Sequence, residues 1–375
     1  MEQNRTVVHV IGGGEFGGAE QHILQLLTLL PHYGLKGKVV CFYEAGFSHE
    51  LRNRGIEVEV LKFDRFDFRL LSGLREVFER EQPLIIHTHG VKANFFGRLA
   101  ARKFPHIPLV TTIHSLLRFD YTNQLAYFFA YRMEKWTRSF TDRFIAVSRS
   151  IADYLQEEGI ESKKISVIHH GIDVDQFSQG KAVLRDELGL SPDDYLIGVV
   201  SRLVKIKGMD YAISAMPKIL QANPRAHLVI VGSGPEEAEL KAAVEQHHVT
   251  GHVHFVGFRK DIANCLHSFD CFVSASLSEG LGLNILEAMA ASLPVVVTGV
   301  GGVIDFTQDR KNGLLIEPQS SEDIAIKVIE LMNNPGFAKS LAEEAFRQVE
   351  QSFSLHAMLT NTVRLYEQIL EETDG

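Results

Sequence analysis

Glu279 and Glu287 lie in the stretch Ser278–Ala290, SEGLGLNILEAMA. Glu279 belongs to a glycine-containing loop, while Glu287 falls about two helical turns later in the apolar run Ile285–Ala291. That separation does not suit a carboxylate dyad. It suits two groups that hold hydroxyls at two ends of one ligand, and a carboxylate in apolar surroundings needs a partner. Gly280 and Gly282 lead into an Ala/Leu/Met-rich helix whose first-turn amides are free to meet an anion. Upstream, Arg202, Lys205 and Lys207 follow a β-branched run that ends at Val200. A planar guanidinium and mobile ammonium groups at a strand end resemble a pyrophosphate clamp, with a solvated loop as the plainer alternative.

A second glycine loop competes for attention. Gly12, Gly14 and Gly17 fit G-x-G-x-x-G directly after the run Thr6–Ile11, and Glu44 ends the next apolar run. That is the dinucleotide fingerprint, acid included. The same glycines serve any close backbone approach to a phosphate or sugar, so the loop alone decides nothing. Among 17 histidines, His87-x-His89 and His252-x-His254 each put two imidazoles on one face of a strand. No third ligand follows at helical spacing and no DxD-like pair follows a strand. Hydrogen-bonding histidines are therefore expected, and no metal.

The elements that must position these groups alternate. Strand-like runs read at Thr6–Ile11, Lys38–Tyr43, Leu84–His87, Leu109–Ile113, Arg143–Val147 and Ile165–Ile168, with helical periodicity between them. After His169–Asp173 the pattern restarts, with strands at Leu196–Val200, Ala226–Val231, Val253–Val256, Cys271–Ser274, Val295–Val297 and Leu314–Ile316. This is α/β architecture with parallel sheets covered on both faces. The expectation is two Rossmann-like doubly wound domains, residues 1–172 and 173–355, facing a cleft lined by their strand-end loops.

The length of 375 residues, with 45% hydrophobic and 23% charged, is that of a globular two-domain chain. No apolar run approaches the ~20 residues of a membrane helix, and the start of the chain lacks a signal-peptide core. Three cysteines without a CxxC suit a reducing cytoplasm. The net charge of −9 argues against nucleic acid. Residues 1–173 hold 22 basic and 20 acidic side chains, the remainder 16 and 27, while residues 91–150 hold 10 and 3. That local excess could lean on lipid headgroups or a phosphorylated substrate. Within it, Tyr121–Phe144 spaces Met133, Trp136, Phe140 and Phe144 helically among Arg132, Lys135 and Arg138. Core packing is the first reading of that stripe, and a membrane-surface contact is the sharper one.

The Glu-x7-Glu block resembles the signature of retaining, GT-B-fold glycosyltransferases of family 4. Other matches occur in the family's order: Gly17–Glu20 (GGAE), Ile85–Gly90, Thr111–Ser115 (TTIHS), Phe144–Ser150, Val167–Asp173, Ser201–Gly208 and Asn312–Pro318. Leu281 departs from the family's more usual Phe. The resemblance implies transfer of a sugar from a nucleoside diphosphate sugar (UDP or GDP) to an acceptor hydroxyl, without a metal cofactor. The acceptor would be a sugar, lipid-linked or small molecule, in cell-envelope or extracellular polysaccharide or glycolipid synthesis. A cytoplasmic enzyme is expected, peripheral to the membrane in the sharper reading. The C-terminal helix, 356–375, would cross back to the first domain.

Carried over by residue, the resemblance gives Arg202 and Lys207 to the donor diphosphate, Glu287 to the ribose and Glu279 to the donor sugar. The backbone at Leu283 and Asn284 would meet phosphate, and Gly17 and Gly18 would let their loop approach the diphosphate and acceptor. His114 would face the sugar, and Phe258, beside Arg259, would flank the base. Three competing classes are a nucleotide-sugar epimerase, an NAD-dependent oxidoreductase and a non-catalytic nucleotide-sugar-binding subunit.

Overall fold

A computed structural model describes residues 5–14, 17–63, 67–120 and 123–374. The chain divides into two compact units: 1–171 together with 355–375, and 172–354.

The N-terminal unit is built on a seven-stranded parallel sheet. Its strands are β1 (Thr6–Ile11), β2 (Lys36–Cys41), β3 (Glu57–Val60), β4 (Ile85–His89), β5 (Leu109–Ile113), β6 (Arg143–Ala146) and β7 (Ile165–Val167), in the order β3-β2-β1-β4-β5-β6-β7. The direction of winding reverses between β1 and β4, which leaves a crevice beyond their carboxyl ends. Central β1 and β4 are buried along their whole length because helices cover both faces of the sheet. One face packs on the helix Gly18–Leu29 and on the C-terminal helix Leu355–Asp374, through residues such as Ile23, Leu27, Met358 and Tyr366. The other packs on the helices Arg69–Glu81 and Val91–Ala101, through Leu74, Phe78 and Phe96.

Edge strand β3 reads EVEV and escapes a search for apolar runs. Buried Lys38 holds it in place, bonding Glu57 at 2.6 Å and Glu81 at 2.8 Å, with Glu59 at 3.5 Å.

The C-terminal unit repeats the plan with six parallel strands: β8 (Tyr195–Val200), β9 (Ala226–Val231), β10 (Val253–Gly257), β11 (Cys271–Ser274), β12 (Val295–Thr298) and β13 (Leu314–Ile316). Their order is β10-β9-β8-β11-β12-β13, so the reversal falls between β8 and β11. The loops after those two strands carry the Arg/Lys segment and the Glu-x7-Glu block.

The segment 121–144 divides rather than forming one stripe. Tyr121 and Thr122 lie outside the described residues. Gln124–Thr137 is helical, Phe144 is buried on β6, and Trp136 is exposed. Arg138, expected on a membrane face, is buried and donates to Glu158 at 3.0 Å. It follows the helix on a 3-10 segment and pairs with Glu158 inside the unit rather than facing outward.

Candidate active site

In the C-terminal unit, glycines draw the two site loops together. Gly208 has φ +59°, and a Cβ there would meet the Ala275 carbonyl at 2.1 Å. Gly301 has φ +54°, and its Cβ would meet the Glu279 carbonyl at 1.9 Å. These are backbone-to-backbone contacts that no side chain could share.

Within this frame Lys207 Nζ lies 2.6 Å from Glu279 Oε1, and the Ser276 hydroxyl donates to the same oxygen at 2.7 Å. Glu279 is almost fully buried and Lys207 mostly so. The sequence assigns these two residues to different parts of a ligand, and the structure joins them. Arg202 is exposed on the same loop.

The helix Leu283–Ala290 begins at Gly282, whose φ of +92° turns the chain into it. Its first-turn amides, at Leu283 and Asn284, have no intrahelical acceptor. The Asn284 side chain donates to the Val200 carbonyl at 2.9 Å, pinning the helix head to the end of β8. Leu281 is buried, so the departure from the family's Phe keeps an apolar anchor. Glu287 keeps part of its surface open, yet its enclosed surroundings push its carboxyl up to about 8. Among the described residues its carboxylate has no hydrogen-bond partner. Phe258 is exposed beside Gly257, and Arg259 is held by Glu187 and Asp261.

In the N-terminal unit, Gly12 and Gly14 do form a tight loop after β1, but the Tyr43 ring packs on it, 3.2 Å from where a Gly14 Cβ would be. Glu44, the acid of the dinucleotide reading, is committed to Arg52, with Lys62 at 3.5 Å. Gly17 caps the helix Gly18–Leu29, its amide donating to Glu20 at 3.1 Å. A cavity of about 440 Å³ opens beyond the ends of β1, β4 and β5, lined by Gly12–Gly14, Glu20, Lys92, His114 and Glu134 among others. Lys92 and Glu134 carried no motif. Glu134 is placed by a buried ion pair to Arg98 at 2.8 Å, a contact across 36 residues that has no local signature.

His114 belongs to a cluster of six imidazoles, of which His9, His22, His87, His89 and His170 are buried and His114 itself is half-buried at the cavity wall. A chain of hydrogen bonds runs His9–His89 (3.1 Å), His89–His114 (3.1 Å) and His114–His170 (2.9 Å). His22 stacks on His170 with centroids 4.3 Å apart. Both ring nitrogens of His114 are thus engaged, and a ligand could take one only by exchange. Burial lowers all six; His9 falls to about 3 and His22 to about 4, so the rings are neutral.

His9, His87 and His89 bring ligand atoms within 4.8 Å of one another, as a metal would require. His87, however, is already bonded on both nitrogens, to Tyr366 at 2.6 Å and Thr112 at 2.7 Å. The trio is a hydrogen-bonded core cluster that could ligate only after releasing one of these partners.

Comparison with known proteins agrees with this architecture. The family profile described as Glycosyl transferases group 1 matches residues 181–348, and that of Glycosyltransferase Family 4 matches residues 16–176. The chain is 30% identical over 302 residues to an uncharacterized glycosyltransferase of Methanocaldococcus jannaschii, covering 76% of each. It is 31% identical over 259 residues to the UDP-Gal:alpha-D-GlcNAc-diphosphoundecaprenol alpha-1,3-galactosyltransferase of Escherichia coli, covering 67% of each. Anabaena HepE, solved in complex with UDP and glucose, superposes with a TM-score of 0.86 at 23% identity, covering 97% of this chain and 100% of that one. The fold is the two-domain α/β GT-B fold, and the chain belongs to the group 1 glycosyltransferases.

Proposed function

We propose that the protein transfers a sugar from a nucleoside diphosphate sugar, a UDP-sugar ahead of a GDP-sugar, to an acceptor hydroxyl with retention of anomeric configuration and without a metal ion. One arrangement carries this reading. An unpartnered Glu287 carboxyl, the Lys207–Glu279 pair and a helix head all belong to the segments that follow β8 and β11, at the strand-order reversal of the C-terminal unit. Glu287 supplies a hydrogen-bonding partner for the ribose hydroxyls. Arg202 and Lys207, with the amides of Leu283 and Asn284, stabilise the charge that develops on the departing diphosphate. Glu279, oriented by Ser276 and Lys207, accepts from hydroxyls of the donor sugar.

The bond between the anomeric carbon and the phosphate oxygen breaks, and a new bond to the acceptor oxygen forms on the same face. The acceptor's proton passes to the departing phosphate oxygen. UDP is favoured because HepE is solved with UDP and the E. coli relative is named for UDP-Gal. The latter's diphosphoundecaprenol acceptor supports a role in cell-envelope polysaccharide assembly.

The test is a transfer assay over a panel of UDP- and GDP-sugars with lipid-linked and soluble acceptors, resolved by proton NMR. An α-linked donor should give an α-linked product at a rate unchanged by EDTA. A β-linked product, or activity lost to EDTA and restored by magnesium or manganese, would reject the corresponding part of the proposal.

A further inference from the structure

The helix Gln124–Thr137 has two unlike faces. Inward, Ala130, Glu134 and Thr137 are buried, and Glu134 lines the 440 Å³ cavity. Outward, Leu125, Phe128, Phe129 and Trp136 are 71%, 54%, 63% and 62% exposed. They fall on one side of the helix, with Arg132 between them.

Phe128 and Phe129 stand 5.8 Å apart, and Trp136 lies 6.0 Å from Phe95, a buried ring of the core behind the helix. Four large apolar side chains on one exposed helix face call for something to cover them.

Charge identifies the cover. Between Asn123 and Ser139 the exposed residues include Arg132 and Lys135 and no acid. Arg132 makes no ion pair among the described residues, and Lys135 lies beside Tyr131 with Glu158 only at 4.0 Å. A second copy of the chain, docked by two-fold symmetry, would set this cationic face against itself. An anionic lipid surface accepts both aromatic rings and cations.

We infer that this face seats the N-terminal unit on an anionic bilayer. The cavity on the helix's other side then lies near headgroup level, and the acceptor is lipid-anchored, its sugar reaching the cavity while its chain stays in the bilayer. The acceptor assignment rests on the glycosyltransferase reading above, whereas the seating does not.

The experiment uses phosphatidylcholine vesicles with and without phosphatidylglycerol, co-sedimentation, and the fluorescence of Trp136, the chain's one tryptophan. Binding with a blue shift is expected only with phosphatidylglycerol, and it should fade as salt rises. Arg132→Gln and Lys135→Gln should each weaken it about fivefold. Phe128→Ser/Phe129→Ser should abolish it while calorimetric UDP binding stays unchanged, which separates failure of seating from failure of the donor site. Equal recovery in the supernatant with both vesicle types would overturn the proposal. So would a concentration-dependent dimer that Phe128→Ser/Phe129→Ser converts to monomer.

Discussion

Mild acid should unfold the N-terminal unit through its histidines. Burial holds His9 at about 3 and His22 at about 4, against an ordinary value of 6.5. The unfolded chain takes up protons that the folded one refuses. Stability from these groups is therefore complete above about pH 6.5 and is lost as pH falls toward the folded values. Each unit of pH below 6.5 withdraws about 1.4 kcal/mol per group. At about pH 5 these two rings together remove roughly 4 kcal/mol, and His87, His89, His114 and His170 act in the same direction. That is a large part of the roughly 5–15 kcal/mol by which a domain is stable. Most carboxylates contribute little above about pH 5, and Glu287, which acts with the opposite sign over this range, lies in the other unit. Urea titrations from about pH 7.5 to 5, followed by Trp136 fluorescence and near-ultraviolet circular dichroism, should show the midpoint fall steeply below pH 6.5. His22→Leu should lower the loss at about pH 5 by roughly 2 kcal/mol, since one titrating ring is gone. Midpoints that stay level between pH 7.5 and 5 would refute the reasoning.

Two further outcomes concern the C-terminal unit. Glu287, pushed up to about 8 from an ordinary 4.5, has the opposite sign: its neutral form is the one the fold prefers, so the stability it gives is complete below about pH 4.5 and is lost as pH rises from there to about 8. Glu287→Gln should therefore raise the thermal midpoint of this unit most at about pH 9, less near about pH 6, and change it little near about pH 4.5, as scanning calorimetry would record. Gly301→Ala should push the Glu279 loop away from its present contact and reduce kcat at least tenfold, with circular dichroism unchanged; wild-type turnover would mean the loop tolerates the shift.

Strand positions were legible in the sequence because buried parallel strands are continuous β-branched runs. Thr6–Ile11, Leu109–Ile113, Ala226–Val231, Cys271–Ser274 and Leu314–Ile316 occur with the expected ends. Edge strand β3 was not legible, since its glutamates are bound by Lys38, 19 residues or more away. The site motifs located Lys207, Glu279 and Glu287, but spacing could not reveal that Lys207 and Glu279 form one ion pair across 72 residues. Nor could it show that six separated histidines share one core, because strand order rather than chain order brings them together. For the helix Gln124–Thr137, an aromatic stripe was visible. Which rings turn inward depended on the Arg98–Glu134 pair that sets the helix's rotation.

Calorimetric titration of UDP into the wild-type protein, Glu287→Ala and Lys207→Ala, in buffer containing EDTA, tests the central claim most directly. Binding without metal is predicted for the wild type. Glu287→Ala should lose it by tenfold or more through the ribose, and Lys207→Ala should weaken it through the diphosphate. UDP binding that requires a divalent cation, or that both variants retain at wild-type affinity, would contradict the account.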